Sequence, residues 1–170
     1  MDAKNRPGVI RLLIYMLVAA GLGGGFAGWV QSSAAALWTA SLEVPTWTPG
    51  GPLPVLIPIF LIQLIAISLW ITERCSGSLW RFVSAVMTLG LLAGAGVTMY
   101  IVFGAHNVTS AFLAMLALWV YALFTTALVG RVSRPAGFLL WPPFIWLSFG
   151  VVLSFEVMRL NSGTNFVGGL

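Results

Sequence analysis

Five apolar runs, each long enough to cross a bilayer, divide this chain and leave nearly all of its charge in the short connections between them. They cover approximately residues 9–30, 52–72, 79–103, 108–129 and 137–158. A membrane-crossing helix needs about 20 mostly apolar residues to span roughly 30 Å of hydrocarbon. Hydrophobic residues make up 59% of the sequence and charged ones 7%, where a soluble domain carries roughly a quarter charged residues. Such a surface has to face lipid. None of the runs shows the two-residue alternation of a membrane β-barrel strand, and each is about twice that length. Backbone groups in lipid are satisfied within the segment, so the runs are expected to be α-helices. The expected fold is an all-α integral membrane bundle of five spans with a long first extramembrane loop, forming one domain over residues 1–170. The first run is too long for a removable signal peptide and lacks a small-residue cleavage site, so it reads as a retained span.

The cations sort by connection. Lys4, Arg6 and Arg11 lie at the start of the chain, Arg74 and Arg81 flank the second connection, and Arg131 and Arg134 sit in the fourth. The first connection, residues 31–51, holds Glu43 and no Lys or Arg, and the third carries no charge. Only Arg159 departs from the pattern. Cytoplasmic loops carry the excess of Lys and Arg, which puts the N-terminus in the cytoplasm and the first loop and C-terminus on the opposite side. A bacterial inner membrane, cytoplasmic or intracytoplasmic, suits a helical bundle. The net charge of +4 is this topological signal. No basic cluster is arranged to track a phosphate backbone, so no nucleic-acid partner is expected.

Within the spans, small residues recur at helical spacing. Gly21 and Gly25, and Gly24 and Gly28, stand four apart in the first run, and Gly90 and Gly94 repeat the device in the third beside Ala93 and Gly96. Faces without side chains let helices approach closely. They can serve packing within the bundle, a homodimer interface, or a smooth wall for a flat ligand. Of eight tryptophans, Trp38, Trp47, Trp80 and Trp141 fall near span ends, where an indole keeps its ring in the acyl region and its N–H among headgroups. Trp119 and Trp146 fall deeper and are candidates for packing against one another or against a ligand.

The residues offer little for hydrolytic or redox chemistry, and no catalytic group or metal ligand set is assigned. His106 is the one histidine and sits in a short turn, and Cys75 is the one cysteine, a free thiol at a predicted helix end. Glu156 and Arg159 are spaced for a local ion pair. No acidic or basic residue lies in mid-span, which argues against a proton relay. The first connection is different. It carries Trp38, Leu42, Pro45, Trp47, Pro49 and Pro52, with Pro54 and Pro58 following in the second run. Prolines fix φ and remove donors, so a loop of about 20 residues without regular structure is expected there, with apolar rings to bury over the mouth of the bundle as a lid. Pro54 and Pro58 are expected to shift or kink the start of the second span.

The pattern Trp38-x3-Leu42-x2-Pro45-x-Trp47-x-Pro49 resembles the first loop of the TspO/translocator-protein family, the tryptophan-rich sensory proteins. The stretch WPPFIWLSFGVVLSFEVMRLN resembles that family's fifth helix, with Pro142, Trp146 and residues 158–161 in register. The resemblance implies five tightly packed helices, usually a homodimer, with a ligand pocket beneath the first loop. It implies binding of a tetrapyrrole such as protoporphyrin, or of a carotenoid- or sterol-like molecule, with no covalently held cofactor. Trp38, Trp47, Pro49, Pro142 and Trp146 would be the ligand-binding residues, with Trp47 and Pro49 in the lid and Trp146 in the pocket wall. Trp146 matches a tryptophan implicated in porphyrin binding and light-dependent porphyrin breakdown.

The departures are specific. The second family proline after Trp47 is replaced by Gly50, and the pocket tryptophan usual early in the second helix becomes Pro58. The fifth-helix Pro-Tyr is Pro142-Pro143, which removes a hydroxyl, and the later asparagine is Ser154. The asparagine motif of the third helix has no counterpart between residues 83 and 96, and Phe155 stands where a sterol-type pattern has tyrosine. The scaffold is kept while polar ligand recognition is thinned. The leading reading is a membrane sensor or regulator of pigment or tetrapyrrole metabolism that binds a porphyrin or similar apolar ligand. The alternative is an accessory subunit that keeps the fold and docks by its lipid-facing surface onto a larger membrane complex, such as a photosynthetic pigment–protein complex. A porphyrin-degrading enzyme resting on Trp146, and a small-molecule transporter, are further readings.

Overall fold

The computed structural model describes residues 8–75 and 79–161, so Lys4 and Arg6 of the charge argument lie outside the described residues. Six helices form among those residues: α1 (Val9–Val30), α2 (Ser33–Ala40), α3 (Leu53–Glu73), α4 (Leu79–Gly104), α5 (Val108–Val132) and α6 (Arg134–Asn161). All but α2 are long and apolar enough to cross a membrane. No strand occurs among the described residues.

The eight residues of α2 correct the expectation of an irregular first connection. Its sequence SAAALWTA is rich in alanine, the strongest helix former, and the first proline of the connection comes only at Pro45. The remainder, residues 41–52, is free of helix. Helix α3 then starts at Leu53 with Pro52 as its N-cap, so Pro54 falls in the first turn, where a missing N–H costs nothing, and Pro58 lies inside the helix.

Local chemistry sets the other boundaries. The turn between α4 and α5 holds His106 in the left-handed region at φ 49°, and Asn107 then caps α5 by accepting from the Ser110 N–H at 2.9 Å. Helix α6 begins three residues earlier than the apolar run suggests. Extended Ser133 alone separates it from α5, and Ser133 Oγ accepts from the Ala136 N–H at 3.4 Å. It also runs three residues further, to Asn161.

Helix α3 packs against α1, α4 and α6, while α5 packs against α4 and α6. The core brings together Ile65, Leu91, Leu118, Ala122, Val129, Ala136 and Leu140. Three buried hydroxyls are satisfied by backbone: Thr72, Thr88 and Thr125 each donate to the carbonyl one turn back, at 2.8 Å. Ser68 reaches across from α3 to the Ala136 carbonyl of α6 at 2.9 Å. At Gly137 the α5 and α6 backbones come so close that a Cβ would stand 2.5 Å from the Gly130 Cα. The end of the bundle bearing Arg11, Arg74, Arg81, Arg131 and Arg134 is termed the basic end, and the end bearing residues 41–52 the loop end.

Candidate functional site

A cavity of about 360 Å³ lies in the loop-end half of the bundle, within the size range of small-molecule sites. Helix α1 contributes Leu22, Phe26 and Trp29, which share one face at spacings of four and three, together with Gly21 and Gly25. No atom stands within 4 Å of where a Cβ on either glycine would be, so their missing side chains widen the space. Helix α3 presents Pro58, Leu61, Ile62 and Ile65. Helix α4 adds Gly96, Met99 and Tyr100, and α6 closes the wall with Pro143 and Trp146. The side chains lining it are uncharged, and their nitrogen and oxygen atoms are confined to Tyr100 and the two indoles.

Aromatic contacts shape its loop end. Trp29 stacks on Tyr100 at 5.9 Å and meets Phe103 edge-on at 6.5 Å, while Phe26 meets Phe103 at 5.6 Å. Trp146 packs against Phe149 at 5.2 Å, and Phe149 meets the Trp47 ring edge-on at 5.8 Å. These rings hold the cavity open by packing on one another.

The residues singled out in the sequence fall in three places. Trp146 lines the cavity, as do Gly21, Gly25, Gly96 and Pro58. Trp38, Trp47, Pro49 and Pro142 are not among the lining residues. Trp38 contacts the His106 ring at 5.3 Å, Trp47 lies on Phe149, and Pro142 is exposed while its neighbour Pro143 takes the buried, cavity-facing position. Gly90 and Gly94 face α5. The Tyr121 hydroxyl occupies the place a Cβ on Gly90 would need, and Leu118 stands 3.0 Å from that of Gly94. A Cβ on Gly24 or Gly28 would meet nothing within 4 Å, and the close approach of α1 is at Gly23, where a Cβ would stand 3.3 Å from Ile59 of α3. Trp119 donates to Ser148 Oγ at 2.8 Å and stacks on Phe144 at 5.5 Å, so it is occupied within the α5–α6 interface. Sequence reasoning gave no place to Trp29 or Tyr100, and named Pro143 as standing where the family has a pocket tyrosine. The spacing of Leu22, Phe26 and Trp29 was the signal that could have found the α1 wall.

Two polar clamps bracket the site. At the loop end, Asn161 accepts from the Glu43 N–H at 3.0 Å and donates to the Glu43 and Val157 carbonyls at 2.8 Å each, tying residues 41–52 to the end of α6. Arg159 pairs with Glu156 beside it at 2.7 Å. At the basic end, Glu73 of α3 accepts from Tyr15 at 2.9 Å and pairs with Arg11 at 3.2 Å, and Trp70 donates to the Gly8 carbonyl at 3.2 Å. Arg74 sits over the Trp70 ring, 4.4 Å from its centroid. Midway, the Gln63 amide, oriented from its partners, donates to the Met16 carbonyl at 3.2 Å and accepts from the Ala20 N–H at 3.0 Å. No group of three His, Cys, Asp or Glu side chains that could hold a metal ion gathers among the described residues.

The arrangement offers ring faces and hydrocarbon rather than acids, bases or nucleophiles, and suits recognition of a flat apolar molecule. A family model described as the TspO/MBR family matches residues 14–160. Protein CrtK of Rhodobacter capsulatus is 32% identical over 130 residues, covering 74% of this chain and 79% of that protein. The translocator protein of Ovis aries is 31% identical over 74% of this chain and 76% of its own length. The tryptophan-rich protein TspO of Chlorobaculum tepidum is 27% identical over 81% of this chain and 88% of its own. With five apolar helices of spanning length and a family match over most of its residues, the chain is an integral membrane protein and belongs to the TspO/MBR family.

Proposed function

We propose that this protein binds a flat apolar ligand of the tetrapyrrole class, or one of similar shape, in the cavity between α1, α3, α4 and α6, and acts as a sensor or regulator of pigment or tetrapyrrole metabolism. The observation that carries the reading is the preformed space of about 360 Å³ with the Trp29 and Trp146 rings on its walls and side-chain-free surface at Gly21, Gly25 and Gly96. A flat ligand needs stacking surfaces and a slot without bulky groups, and these residues supply both. The protein is proposed to sit in a bacterial inner membrane with its basic end in the cytoplasm.

The test is a protoporphyrin titration of detergent-purified protein followed by tryptophan fluorescence, beside a matched titration of Trp146→Phe. Saturable quenching at micromolar ligand, with a dissociation constant raised several-fold in the variant, is the expected outcome. Quenching no stronger than in empty micelles, with protoporphyrin and with its uncharged dimethyl ester alike, would refute the reading.

One observation favours the second reading, an accessory subunit of a larger membrane complex. The glycine face of α1 at Gly24 and Gly28 is exposed, and a Cβ at either position would meet no neighbouring atom within 4 Å. Co-purification with partner chains at fixed stoichiometry would support that reading, whereas a second copy on this face would make it a homodimer contact.

A further inference from the structure

The cavity is not sealed from the side of the bundle. Helices α1 and α4 meet through rings near the loop end, where Trp29 and Phe26 touch Tyr100 and Phe103 and Trp29 packs on Gly104. Nearer mid-helix their facing positions are small. Gly21 and Gly25 on α1 and Gly96 on α4 are exposed, have nothing within 4 Å of a Cβ position, and line the cavity at the same time. Leu22 and Tyr100 also line it while 46% and 66% exposed. A residue that is both cavity wall and outer surface marks an opening. This one lies between two helices of membrane-spanning length, so it faces lipid.

The chemistry of the walls says what can pass. The lining side chains carry no cation, and the described arginines stand near the helix ends, at Arg11, Arg74, Arg81, Arg131, Arg134 and Arg159. A carboxylate drawn into the cavity would lose its water without gaining a charged partner, and an isolated ion in such a place is strongly disfavoured. An uncharged molecule already dissolved in the bilayer meets no such penalty.

Resting on the ligand-binding reading above, we propose that the cavity is filled from the bilayer through the gap between α1 and α4, and that its ligand is an uncharged, lipid-soluble molecule. Gly96 and Gly21 are the doorway residues. Their lack of side chains sets how fast a ligand enters and leaves.

The experiment uses the full chain in lipid nanodiscs with two probes, protoporphyrin and its dimethyl ester, read by tryptophan quenching at equilibrium and by stopped flow. The ester is expected to bind at least tenfold more tightly than the free acid. In Gly96→Leu, association of the ester is expected to slow at least tenfold, and dissociation to slow with it. A side chain that merely shrank the cavity would speed dissociation. Gly21→Leu provides the same test from α1, and at both sites nothing stands within 4 Å of the new Cβ. Free acid binding as tightly as the ester, or more tightly, overturns the uncharged ligand. Unaltered rates in both variants overturn the route, and if the particle mass falls as well, a second copy covers the gap. No saturable quenching by either probe refutes the binding reading itself, an outcome distinct from the others.

Discussion

At Gly137 a single methyl group decides whether two helices can meet. Its Cβ would stand 2.5 Å from the Gly130 Cα and 2.9 Å from the Gly130 N, and both are backbone atoms that cannot swing aside. Gly24 has the same side chain and the opposite surroundings, with nothing within 4 Å. Overpacking a tight contact costs about 1–3 kcal/mol, while replacing an unconstrained helical glycine by alanine gains up to about 1 kcal/mol. Gly137→Ala is therefore expected to lower the thermal unfolding midpoint in detergent, and Gly24→Ala to leave it unchanged or raise it. A Gly137→Ala protein that unfolds with the parent would show that the α5–α6 crossing has slack. The sequence displays both glycines alike, because spacing along one helix marks a small face without saying what stands opposite. The stripe at Gly21, Gly24, Gly25 and Gly28 is conspicuous in one dimension, yet Gly23 between them makes the contact with α3.

Helix α1 shows how polar side chains hold an element whose packing alone is thin. Ala19 and Gly23 are its buried residues, and its attachment to α3 runs through Glu73 with Arg11 and Tyr15, Trp70 with the Gly8 carbonyl, and Gln63 with Met16 and Ala20. Gln63 bridges the carbonyl and N–H that a regular helix pairs with each other, so α3 engages the backbone of α1 directly. Interhelical hydrogen bonds in membranes contribute about 0.6 kcal/mol each, with a maximum of about 1.7 kcal/mol. The combined Gln63→Leu, Glu73→Gln variant is expected to raise amide hydrogen exchange several-fold along residues 9–30 while α5 and α6 stay protected. Equal deprotection of all helices, or none, would show that α1 is held by something else. Sequence reasoning counted Arg11 only toward orientation and left Gln63 and Glu73 without a role. A polar residue in or at the end of an apolar run announces a partner without naming it, and those of Glu73 lie 58 and 62 positions away along the chain.

The whole molecule divides by the same logic into what a linear reading reaches and what it does not. Five long helices follow from hydrophobic length, a local quantity, and the charge of the connections is equally local. The order of helices around the bundle, and hence which rings face a common space, depends on contacts between distant segments. Trp146 was legible as deep in its span, but the cavity-facing role of Trp29 and Tyr100 needed α1 and α4 side by side. The charge pattern still carries an untested consequence for the assembled bundle. Among the described residues, Arg11, Arg74, Arg81, Arg131 and Arg134 gather at the basic end, while the loop end has Arg159 paired to Glu156 and, on the first connection, Glu43. Arginines near span ends are retained in the cytoplasm. Cys75, the sole cysteine, lies at the basic end directly after Arg74, and Ser41 lies exposed at the opposite end. A membrane-impermeant maleimide should therefore label Cys75 in inverted vesicles and spare it in intact spheroplasts. A Cys75→Ser, Ser41→Cys variant should show the reverse. The opposite pattern would invert the bundle. Labelling of both sites from both sides would mean that the remaining charges do not suffice to fix one orientation, and that the doorway between α1 and α4 is presented to the bilayer in two opposed directions.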